Sequence, residues 1–135
     1  MHIRKKNLPV FCLSLMLVFS ISLVPAGAGE AARVGERSRT EQTLRAAALD
    51  ESSRVRRAAI RLLGEAGDAC LSPFFRDRFA RDDSYQVQAE ALRAIGRSRD
   101  PSQLPFLREA SEMESPEDVI RKAAASAMEE LSGGR

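Results

Sequence analysis

The chain has 135 residues, with 21 Lys or Arg against 19 Asp or Glu and a formal charge of +2. That length holds one small domain, and 44% apolar with 30% charged residues excludes a disordered chain. Two cysteines, Cys12 and Cys70, exclude a framework of several disulfides.

The chain opens on Arg4, Lys5 and Lys6 with no acid among its first seven residues. Leu8 to Val24 is an uncharged apolar run of 17 residues, ended by Pro25. Ala26-Gly27-Ala28 then matches the small-x-small pattern of a cleavage site. Basic, apolar and cleavable segments in this order predict a secretory signal over residues 1–28, cut after Ala28, and a secreted or periplasmic address. If residues 8–24 are retained, they predict a membrane anchor instead, although 17 residues are few for a hydrocarbon core about 30 Å thick. Cys12 lies inside the apolar run, the wrong place for a lipidated N-terminus.

Removing residues 1–28 takes three basic residues and no acid, which leaves 18 basic and 19 acidic residues and a charge of −1. It also takes His2, the one histidine. Residues 29–38 are expected to be a flexible leader, and residues 39–135 a folded domain.

That domain repeats itself with a period of 32 in three units of about 39–68, 69–100 and 101–132. Val55, Val87 and Val119 coincide in the repeat, as do Ala59, Ala91 and Ala123. Gly64 falls on Gly96, and Asp68 on Asp100. Each unit predicts a helical pair. The first members lie in Arg39–Leu49, Phe74–Ala80 and Leu104–Met113. The second members begin near Ser52 or Ser53, Ser84 and Ser115, residues suited to N-caps, and Gly64, Gly67 and Gly96 mark C-terminal ends. At 100° per residue, Val55, Ala59, Leu62 and Leu63 share one apolar face, and Val87, Ala91, Ala94 and Ile95 repeat it. β-branched residues are few and no alternation is sustained, so no strand is predicted. The expected fold is all-α, a short α-solenoid of three antiparallel helical pairs.

The pattern Asp50, Val55-Arg56, Ala59, Leu63-Gly64, Gly67-Asp68, with its second copy Asp82, Val87, Ala91, Ile95-Gly96, Asp100-Pro101, resembles the HEAT-like repeats, of armadillo type, particularly the short variety of phycobilisome lyases. The resemblance spans about residues 40–131. It implies a ladder in which the Arg and Asp of neighbouring repeats hydrogen-bond, with Asp50, Arg56 and Asp82 as its members here. Only the first repeat carries both residue types, since Gln88 stands where the second would have Arg. The same repeats occur in many non-enzymes, so no lyase activity follows from them.

The inventory argues against catalysis. Without His2 there is no Ser-His or Cys-His arrangement, and Cys70 is the one thiol left. No metal, cofactor or catalytic residue is predicted. Cys70 is expected as a small buried residue, or, if exposed, as a reactive thiol able to pair between molecules. Tyr85 is either an exposed partner anchor or packed on its own loop.

Arg54, Arg57 and Arg61 fall on one side of the first repeat's second helix, with Gln86 and Arg93 in the equivalent column of the next and Arg121 in the third. In a stack of pairs these columns line the concave surface. The function expected is that of an exported, non-catalytic adaptor or scaffold for a protein partner. The alternative is polyanion or nucleic-acid binding through the Arg face, which the charge of −1 disfavours.

Overall fold

The computed structural model describes residues 26–133. The predicted secretory signal therefore lies outside the described residues, apart from its last three. Among the described residues six α-helices run in order: α1 (Ala26–Ala47), α2 (Ser53–Glu65), α3 (Ser72–Arg81), α4 (Tyr85–Arg97), α5 (Leu104–Ser111) and α6 (Val119–Gly133), with 3-10 turns at Ala69–Leu71, Pro101–Gln103 and Pro116–Asp118. No strand occurs among the described residues. No helix among them is long and apolar enough to cross a membrane.

The chain divides into two units, Met1–Arg37 and Ser38–Arg135. In the first, residues 26–37 are helical, and every residue from 29 to 37 is exposed. Residues 29–38, expected as a flexible leader, fall within α1. The run is rich in Ala, Glu and Arg, which favour helix, and no proline interrupts it before Pro73.

The second unit holds the repeats. α4 stands at its centre, with α2 on one side, α6 on the other and α3 packed against it; α5 packs on α6. The core is built from Ile60 and Leu63 of α2, Phe75 of α3, Val87, Leu92 and Ile95 of α4, Leu107 of α5 and Ile120 of α6, all buried. Phe79 of α3 meets Phe106 of α5 edge to face, ring centres 5.5 Å apart, and so joins the outer helices of neighbouring repeats.

Two glycines set how closely the central row packs. A Cβ on Gly64 would stand 2.7 Å from the Ala94 Cβ, and one on Gly96 2.7 Å from the Ala127 Cα. Both lie inside their helices, so their role is close approach between helices rather than termination. Termination falls to Gly67, whose φ of 63° follows α2. One repeat later the same position is Arg99, which takes a φ of 55° without the freedom of glycine.

The helix starts also differ from expectation. Ser52 and Ser84 occupy the cap positions but make no side-chain cap bond. Asp residues two places earlier do the work: Asp50 Oδ1 accepts from the Ser52 NH at 2.8 Å and Asp82 Oδ1 from the Ser84 NH at 3.0 Å. Asp68 and Asp100 repeat the motif on Cys70 and Ser102. Ser115 does cap, its Oγ accepting from the Ile120 NH at 3.0 Å.

The apolar face predicted for α2 is only half buried. Ala59 and Leu63 are covered, but Val55 is 41% and Leu62 47% exposed. Their counterparts Val87 and Ala94 are at 0%. Periodicity is the same in both helices; α4 has a neighbour on that side, and α2 has none there among the described residues.

Candidate protein-binding surface

The first repeat junction is locked by Arg56. From α2 its Nε donates to Asp82 Oδ2 at 2.8 Å and its Nη2 to Asp82 Oδ1 at 2.9 Å, a two-pronged grip on the next repeat. The same Nη2 reaches Asp83 at 2.7 Å, and Nη1 donates to the carbonyls of Asp50 and Glu51, each at 3.0 Å. Burial alone would raise the Asp82 carboxyl, but hydrogen bonds from Arg56 and the Ser84 NH outweigh it and hold the group below the ordinary carboxylate value. Asp50 enters through its carbonyl, while its carboxylate turns to Ser52.

One repeat on, Gln88 keeps only half of this. Its Nε2 donates to the Asp82 carbonyl at 2.6 Å, as Arg56 does to Asp50, six residues back in both cases. No bond from it crosses to the third repeat among the described residues. The ladder is one rung long.

The Arg columns resolve into a smaller cluster. Glu90 of α4 is buried, with 4% of its side chain exposed, and draws in three guanidinium groups: Arg57 of α2 at 3.7 Å, Arg93 at 3.5 Å and Arg97 at 3.4 Å. Of the six residues predicted for this face, the structure brings together Arg57 and Arg93. Arg54 and Arg61 lie exposed on α2 with no ion pair among the described residues. Arg121 pairs with Asp118 on its own helix at 3.4 Å. Gln86 belongs elsewhere, in a groove of about 590 Å³ across the starts of α2, α4 and α6, beside Tyr85, Glu51, Asp83 and Glu117. Tyr85 is 46% exposed there, so it does not pack away on its own loop.

Sequence reasoning missed Glu90 as an organiser and Arg97 as a member. The signal was the spacing of Glu90, Arg93 and Arg97, which sets all three on one side of a helix. A carboxylate removed from water needs partners, and three long contacts share that task. The cluster carries one negative and three positive charges, and its guanidinium groups stay partly open to solvent.

Cys70 is exposed, in the 3-10 turn between the first two repeats, so the expectation of a buried small residue is overturned. A hydrogen bond with Asp68, and that residue's charge, push the thiol's pKa up. The thiolate is thereby disfavoured.

A row of three helices, α2, α4 and α6, backed by outer helices and repeating every 32 residues, is that of a helical-repeat protein of α-solenoid class. Residues 72–134 match the family model for HEAT repeats, which supports a HEAT-like repeat reading of that span. The match is to HEAT repeats at large and confers nothing particular to the phycobilisome-lyase variety. HEAT repeats are generally protein-interaction scaffolds and typically non-enzymatic. No curated protein and no solved structure matches the chain.

Proposed function

We propose that this chain is an exported, non-catalytic HEAT-repeat adaptor that holds an acidic segment of a partner protein on the face between α2 and α4. The observation that carries the reading is the Glu90 cluster. One buried carboxylate fixes Arg57, Arg93 and Arg97 side by side from two helices, with charge to spare. Guanidinium groups ordered before binding lose less freedom when a carboxylate arrives. The basic start, the apolar run to Val24 and the Ala26-Gly27-Ala28 site support export.

The test uses a Glu- and Asp-rich peptide and its Gln/Asn counterpart. The acidic peptide is expected to bind the protein and the neutral one not. Arg57→Glu with Arg93→Glu should weaken the acidic peptide at least about tenfold, the scale of two lost charge contacts. Equal binding of both peptides would remove this reading. Heparin or single-stranded DNA bound more tightly than the peptide, with a steep salt dependence, would favour the polyanion alternative. Intact mass of the exported protein tests the address, with a start at Gly29 expected.

A further inference from the structure

We propose that the open side of α2 is a self-association surface, on which a second copy of this chain docks its own α2 in antiparallel orientation about a two-fold axis. The repeat itself identifies the surface. Ala94 of α4 lies against α2 at Gly64, so the α4 stripe of Val87 and Ala94 is a face covered by the preceding repeat. The α2 stripe of Val55 and Leu62 is that face one repeat earlier, 41% and 47% exposed. It is shaped to receive a helix, and the small Ala58 and Ala66 beside it permit close approach.

Charge selects the occupant. Arg54 and Glu65 stand at opposite ends of α2, eleven residues and three turns apart, on the same flank of the stripe. Neither has an ion pair among the described residues. A two-fold axis passing midway along α2 reverses the second helix. Arg54 of each copy then meets Glu65 of the other, and each Val55 comes near Leu62 of the other copy. The helix is thus complementary to itself, as a two-fold interface requires. A parallel partner would place each Arg54 level with the other Arg54 and three turns from Glu65.

Sedimentation of the purified protein between about 5 and 500 µM tests this, a range suited to a small interface. The wild type is expected to pass from monomer to dimer. Val55→Ser with Leu62→Ser should leave monomer throughout. Arg54→Glu alone, or Glu65→Arg alone, should raise the dissociation constant about fivefold, and the two together should restore it. All four side chains belong to an exposed edge, so circular dichroism should show unchanged helix content in every variant. A wild type that stays monomeric, an association indifferent to the serine pair, or single reversals without effect would each overturn the proposal.

Discussion

Arg56→Ala is expected to be the most damaging single truncation on the surface of this domain. The substitution deletes two hydrogen bonds to Asp82, one to Asp83 and two to backbone carbonyls. It leaves Asp82, with 2% of its side chain exposed, as a buried carboxylate whose remaining bond is to the Ser84 NH. Breaking one side of a buried pair costs about 3–5 kcal/mol. The retained backbone bond and the 12% exposure of the Arg56 side chain place the loss at the lower end, about 3 kcal/mol. For a domain of this size that corresponds to a melting temperature lower by about 15 °C. Arg56→Lys should recover part of the loss, because an ammonium restores the charge but not the two-pronged grip.

The pH dependence gives a second arm. The Asp82 carboxyl lies below its unfolded value of 3.8. As pH falls through that value the unfolded chain takes up a proton that the folded chain refuses, so the contribution is full above it and fades towards the lower folded value. Without Arg56 the folded carboxyl should titrate higher. The gap between wild type and Arg56→Ala is therefore widest near neutral pH and closes in acid. Thermal melts at pH 7 and pH 3 measure both quantities. A loss under about 1 kcal/mol at pH 7, or a gap that widens in acid, would refute the assignment of Arg56 as the clamp of the first junction.

Three further outcomes are expected. Gly96→Ala should destabilise by about 1–2 kcal/mol despite the better helix propensity of Ala, because the new methyl meets backbone at 2.7 Å; thermal melting checks it. Arg99→Gly should stabilise by about 1 kcal/mol, since its φ of 55° is where Gly67 stands one repeat earlier; the same melts check it. Cys70 should alkylate slowly near neutral pH for an exposed thiol and faster in Asp68→Asn, measured by the rate of iodoacetamide labelling.

The stack was legible because its signal is periodic. Val87, Ala91, Ala94 and Ile95 fall on one face of a 3.6-residue helix, and all four are buried. The same rule failed at Val55 and Leu62, because periodicity reports which face is apolar and not whether a neighbour covers it. Chemistry between repeats was harder to read. Glu90 organises the Arg patch, yet nothing in the repeat pattern singles it out, since ion pairs across helices depend on register. The caps were misassigned for a local reason: Ser52 and Ser84 have the right identity and place, but the Asp two residues before each offers the better-aimed oxygen. Cys70 and Gly64 each had a general tendency, burial for one and helix ending for the other, that its particular surroundings overrode.

The two junctions of the stack are built from different materials. Both use a glycine to bring the helices of the central row together, Gly64 on Ala94 and Gly96 on Ala127. Only the first adds the charged clamp, because only Arg56 has both the reach and the second prong to span the repeats. Gln88 is shorter, neutral and already committed to the Asp82 carbonyl. Acid therefore acts unevenly: the Asp82 carboxylate that fastens the first junction is a titrating group, whereas the Gly96 contact at the second carries no proton to gain. Arg57 and Glu90 join α2 to α4, and Arg56 ties α2 to Asp82 in the turn just before α4, so the proposed binding face lies across the clamped junction. Fixing the register of α2 against α4 is what keeps three guanidinium groups within reach of one carboxylate, and the ladder rung thereby serves the surface as well as the fold.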